Sequence, residues 1–146
     1  MPSSTRTRRP VADTRPARGL IDTSVVIDLP DVDPHRLPAA VAISAITLAE
    51  LAAGPHATTD PAERARRQDR LQRVEATFDP LPVDAGVARA YGRVYAAVAA
   101  AGRKARGRRA VDLLIAATAL AADLPLYTRN PEDFEGLSGL LAVVRV

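Results

Sequence analysis

The chain has 146 residues, 47% apolar and 25% charged, which predicts one globular domain able to build its own core. It has no cysteine and only two histidines, His35 and His56, which excludes disulfides, zinc–thiolate and iron–sulfur sites, cysteine nucleophiles and multi-histidine metal sites. Lys plus Arg is 20 against 17 Asp plus Glu, and the longest uncharged runs, Leu37–Ala49 and Leu113–Ala122, fall short of the ~18 residues of a membrane span. With no apolar core of a signal peptide near the start, a soluble cytoplasmic protein is expected.

Residues 1–18 are rich in Arg, Pro, Ser and Thr, and the sequence predicts a disordered tail there. The tail holds Arg6, Arg8, Arg9, Arg15 and Arg18 against Asp13 alone, so the basic excess lies there and the body, 19–146, is nearly neutral. Gly19–Ile21 reads as a buried strand that turns into a helix after Asp22. Asp31–Pro38 is a loop. Val41–Ser44 reads as a second strand, followed by a helix that stops at Gly54–Pro55. A charged helix is predicted from Pro61, behind Asp60 as its cap, to about Thr77. Its Glu63–Arg67 and Asp69–Arg73 pairs have i,i+4 spacing, and Leu71, Val74 and Phe78 form a modest apolar stripe. Leu81–Val83 has the composition of a strand. Asp84 then caps a helix whose Val87, Tyr91, Val94, Tyr95 and Val98 are expected on one buried face, ending at Gly102.

A basic loop follows, with Arg103, Lys104, Arg106, Arg108 and Arg109 and no acid among them. It is either an electrostatic footprint for nucleic acid or a solvated loop. A helix from about Ala110 to Ala122 is apolar nearly all round and so is expected at the centre of the molecule. Leu124–Thr128 is a strand, Pro131–Phe134 a turn or short helix, and Leu141–Val144 a last strand. Short strands alternating with helices predict an α/β sandwich around a parallel sheet.

Three acids sit in apolar company. Asp22, Glu50 and Asp112 are each the only charge in Gly19–Ile27, Ala39–Ala53 and Ala110–Ala122 respectively. A buried carboxylate needs hydrogen bonds, a cation or a proton. Asp22 could simply cap a helix, Glu50 could lie on a wet helix edge, and Asp112 could answer a helix dipole. A single site explains all three. In an open α/β sheet, ligands bind beyond the carboxyl ends of the strands. Carboxylates converging there would need a cation, and oxygen ligands suit Mg²⁺ or Mn²⁺.

Over Gly19–Val146 the chain resembles the PIN-domain ribonucleases of the VapC toxin type. The resemblance rests on Leu20–Ile21–Asp22–Thr23–Ser24, on Ile43–Leu51 with Glu50, on Asp112–Leu113–Leu114–Ile115–Ala116–Ala117, and on Thr128–Arg129–Asn130–Pro131–Glu132–Asp133–Phe134. It implies a three-layer α/β/α sandwich with a central, mostly parallel sheet. It also implies an acidic site of Asp22, Glu50 and Asp112, completed by Asp133 in preference to Asn130. Thr23, Ser24, Thr128 and Asn130 would orient those carboxylates or water.

The activity implied is Mg²⁺-dependent hydrolysis of RNA phosphodiesters, in tRNA or rRNA, by a homodimer inhibited by a VapB-like antitoxin. A PIN-type DNA nuclease and a non-catalytic module binding nucleic acid or a partner are the alternatives. Receiver domains and haloacid-dehalogenase-like phosphatases fit poorly. They need a lysine at the phosphoryl group, and the only lysine, Lys104, lies in the basic loop. The phosphatases also need Asp-x-Asp, and Ser24 occupies the second place.

Overall fold

A computed structural model describes residues 15–146. The expected disordered tail, residues 1–18, lies outside them up to residue 14; residues 15–18 are described, and Arg18 belongs to the first strand. Four strands form one all-parallel sheet in the order β2-β1-β3-β4: β1 (Arg18–Ile21), β2 (Ala40–Ala42), β3 (Leu126–Thr128) and β4 (Val143–Arg145). The helices are α1 (Thr23–Asp28), α2 (Ala45–Ala53), α3 (Pro61–Thr77), α4 (Ala85–Ala100) and α5 (Arg108–Ala121), with single 3₁₀ turns between several of them.

The sheet separates two cores, because successive side chains of a strand point to opposite faces. Leu20 and Leu126 face α4 and α5, among Val87, Val94, Val98, Leu113 and Ile115. Ile21 and Tyr127 face the other side, among Val25, Val26, Ile43, Leu51 and Val74 of the α1–α3 half. This is the expected α/β/α sandwich. As its all-round apolar sequence predicts, α5 buries Leu113 and Ile115 to Ala119. Among the described residues no helix is long and apolar enough to cross a membrane.

The short strands shift from their expected bounds. β1 starts at Arg18, and the carbonyls of Pro16 and Ala17 already accept bonds from Ala39 and Ala40. That pairing places β2 at Ala40–Ala42, short of the expected Val41–Ser44. Ser44 instead makes one parallel bridge to Leu81 and caps α2, so Leu81–Val83 is not a strand. β3 is confined to Leu126–Thr128, the residues that meet β1 and β4, and β4 starts at Val143 instead of Leu141. Tyr95 is half exposed instead of buried. The buried face of α4 runs through Val87, Ala90, Val94 and Val98, and Tyr95 lies one residue off it.

Candidate active site

β1 pairs with β2 on one side and β3 on the other, so the chain leaves the carboxyl end of β1 at the sheet's topological switch point. Ligands of open α/β sheets bind there. Asp22 immediately follows β1, and Thr128 ends β3.

Asp22 is 6% exposed, yet its carboxylate is fully engaged. Oδ1 accepts a bond from the Val25 amide at 3.1 Å, which caps α1, and another from the Ser24 hydroxyl at 2.6 Å. Oδ2 accepts a bond from the Thr128 hydroxyl at 2.6 Å. Each hydroxyl is itself oriented by a backbone donor. The Arg129 amide donates to Ser24 at 3.2 Å, and the Asn130 amide donates to Thr128 at 3.0 Å. Capping and site formation are thus one arrangement for Asp22.

Glu50 lies in the last turns of α2, half-buried, and its Oε1 accepts a 2.6 Å bond from the Thr23 hydroxyl at the start of α1. Asp112 lies near the start of α5, half-buried, and no hydrogen bond to its carboxylate occurs among the described residues. Burial, followed by the charges of Asp133, Glu50 and Asp22, pushes its pKa up from 3.8 to about 6, while the Arg108 guanidinium pulls it down. The charges of the other three expected acids therefore reach this carboxyl. Asp133, in the 3₁₀ turn Pro131–Phe134, is the largest charged contributor to that rise. The Asn130 side chain is exposed, and its contribution to the site is its amide bond to Thr128.

The arrangement suits a hard divalent cation in its donor chemistry. All its ligand atoms are oxygens, and Asp112 carries negative charge that nothing nearby neutralises fully. Among the described residues no three Asp, Glu or His side chains are grouped to hold a metal ion as they stand.

The five basic residues do not form one loop surface. Arg103 is paired with Glu135. Lys104 and Arg106 are exposed. α5 starts earlier than expected, so Arg108 and Arg109 are helical; Gly107, at φ 59°, provides the left-handed entry. Arg108 is exposed and acts on Asp112, whereas Arg109 is half-buried with its Nη1 sealed from solvent and unpartnered.

Two residues near the site escaped the sequence reading. Thr47 of α2 is fully buried, with its hydroxyl 3.0 Å from that of Thr23. Arg129, beside Thr128, is ion-paired with Asp28 at 3.3 Å. Arg129 was visible only as part of the Thr128–Phe134 motif, and a threonine within an apolar helix gives no signal.

The PIN domain family matches residues 19–139. Over 133 residues the chain is 38% identical to ribonuclease VapC5 of Mycobacterium tuberculosis (strain ATCC 25618 / H37Rv), which covers 89% of this chain and 95% of that protein. It is 40% identical over 102 residues to ribonuclease VapC8 of Mycobacterium tuberculosis (strain CDC 1551 / Oshkosh), covering 69% of this chain and 89% of that one. A crystal structure of VapBC-5, a member of the VapBC family of toxin–antitoxin systems from Mycobacterium tuberculosis, superposes with a TM-score of 0.79 at 38% identity. It covers 90% of this chain and all of that one.

Proposed function

This chain belongs to the PIN-domain family, and on that premise we propose that it is the ribonuclease toxin of a VapBC-type toxin–antitoxin system. What supports the reading is Asp22 at the switch point of the sheet, bonded by Ser24 and Thr128, with Glu50 bonded to the adjacent Thr23 and Asp112 pushed up to about 6 by burial and by the charges of Asp133, Glu50 and Asp22. The reading places the protein in the cytoplasm, with RNA as substrate and a VapB-like antitoxin as partner. A homodimer and a tRNA or rRNA target follow from the family resemblance.

Asp22, Asp112, Glu50 and Asp133 would hold the cation, Mg²⁺ or Mn²⁺. When bound, it supplies Lewis-acid stabilisation of charge at the scissile phosphate and a more acidic water. The protein's own groups do the rest. Ser24, Thr128 and the Val25 amide lock Asp22 in one orientation. Glu50 keeps Oε2 free of the Thr23 bond, so it can take a proton from an attacking water. Arg108 supplies positive charge that is felt at Asp112, and Arg106 and Lys104 are exposed just before it in the chain; together they would offset the acids' repulsion of the phosphate backbone.

The test is cleavage of the source organism's total RNA, and of a matched DNA, by the purified protein. Assays run with Mg²⁺, with chelator, and with the Asp112→Asn variant. Discrete RNA products that require both metal and Asp112 are expected, and mapping their ends identifies the target. Cleavage of the DNA alone would turn the reading into a DNA nuclease. Cleavage that survives Asp112→Asn would overturn the site assignment.

A further inference from the structure

Three hydroxyls touch the carboxylates of the site: Ser24 and Thr128 on Asp22, and Thr23 on Glu50. A hydroxyl that donates to a carboxylate has its direction fixed by a second group that holds it. For Ser24 and Thr128 that group is a backbone amide, of Arg129 and Asn130 respectively. Among the described residues no backbone amide donates to the Thr23 hydroxyl. Its bond to Glu50 Oε1 is the shorter of two, at 2.6 Å. The second is to the Thr47 hydroxyl, to which Thr23 donates at 3.0 Å, so Thr47 takes the place of an amide as the second group that holds the Thr23 hydroxyl.

We propose that Thr47 is a positioning residue of the active site, fixing the Glu50 carboxylate through the Thr23 hydroxyl. The inference rests on the proposed nuclease reading of the site. Thr47 lies one helical turn before Glu50 on α2, at 0% exposure. A buried hydroxyl without a partner is costly, so this contact gives Thr47 its partner as well as holding Thr23. A second buried pair holds the start of the same helix. The Ser44 hydroxyl lies 3.2 Å from that of Thr118, whose proton goes to the Leu114 carbonyl at 2.9 Å. α2 is thereby tied to α5, the helix of Asp112, and through Thr47 to α1, which starts beside Asp22. The Ser44 contact locates the helix, and the Thr47 contact aims the one side chain on it that the chemistry uses.

The experiment compares Thr47→Val, Thr47→Ser, Thr23→Val and the Thr23→Val/Thr47→Val double variant with the wild type. Two quantities are read: kcat and KM on RNA, and the Mn²⁺ concentration at the midpoint of thermal stabilisation. Thr47→Val keeps shape and removes only the hydroxyl that Thr23 contacts. It is expected to lower kcat about tenfold, the low end for a group that orients a metal-site carboxylate, with KM little changed and the Mn²⁺ midpoint raised. Thr47→Ser should restore both. The double variant should be no worse than Thr23→Val alone, because Thr47 acts only through Thr23. Wild-type kcat and Mn²⁺ midpoint in Thr47→Val would overturn the proposal, as would additive losses in the double variant. If Thr47→Val fails to fold, Thr47→Ala against Thr47→Ser makes the same comparison. A wild type that binds Mn²⁺ but does not cleave RNA sinks the nuclease reading and leaves the midpoints to decide on Thr47. A wild type that does neither overturns both.

Discussion

Asp112 is the acid whose surroundings shift it most and so the one that reports most on the site. Asp22 has two hydroxyls and an amide on its carboxylate, and Glu50 has Thr23. Asp112 has burial and three neighbouring acids raising its pKa to about 6 against the partial relief of Arg108. A carboxyl whose folded pKa is raised makes the fold less stable once it ionises. The penalty is absent below about pH 4, grows through the interval up to about 6, and is complete above it. Asp112→Asn removes the charge and keeps the shape. In chelator at pH 7.5 the variant should melt about 2–5 °C above the wild type, and the gap should close as the pH falls to 4. Adding Mg²⁺ should stabilise the wild type and leave the variant unmoved. Melting curves at the two pH values check this, and a variant less stable than the wild type at pH 7.5 would make Asp112 a structural acid. Asp22, Glu50 and Asp112 were legible because each is a lone charge in an apolar segment. Asp133 sits among polar neighbours, so only the family resemblance singled it out. Thr47 was silent because its partner lies 24 residues away in the chain.

The helices were readable from periodicity and capping residues: Asp60 and Asp84 each cap the helix that follows them. The strands were readable as existing and not in their bounds. A three-residue strand is defined by its neighbour, and the register of Gly19 with Val41 cannot be seen in either segment alone. The start of α5 was hidden for a related reason, since Arg108 and Arg109 look like loop until Gly107 sets the helix entry. Gly19 shows how one such element positions the site. A Cβ there would lie 2.6 Å from the Tyr127 ring and 2.9 Å from Pro38. Tyr127 is buried in β3, next to Thr128, so its ring has little free space to withdraw into. Gly19→Ala should therefore destabilise the protein by about 1–3 kcal/mol and disturb the Thr128–Asp22 contact. Chemical denaturation measures the first effect. A loss of cleavage beyond the unfolded fraction reports the second, and wild-type stability would mean the sheet yields at this edge.

At the scale of the whole molecule the difficulty is that a cluster of carboxylates must accept a polyanion. The body of the chain, 19–146, carries 15 basic and 16 acidic residues, so no general field draws RNA in. Attraction must come from local cations. Of the basic cluster, Arg103 is engaged by Glu135 and Arg109 is half-buried, which leaves Lys104, Arg106 and Arg108 exposed beside the entrance to α5. Arg108 is the one whose charge is felt at Asp112. Binding of single-stranded RNA releases about 0.7 counterion per phosphate contact. Replacing Arg106 and Arg108 with alanine should then lower the slope of log affinity against log salt by about 1.4 and weaken binding without changing which RNA is preferred. The measurement is titration of the cleavage-dead Asp112→Asn protein with an RNA probe over a salt series. A parallel truncation of residues 1–14, which carry Arg6, Arg8 and Arg9 against Asp13, separates the two sources of positive charge. If the truncation flattens the slope and the arginine pair does not, the capture of RNA belongs to the amino-terminal segment and Arg108 serves only to moderate Asp112.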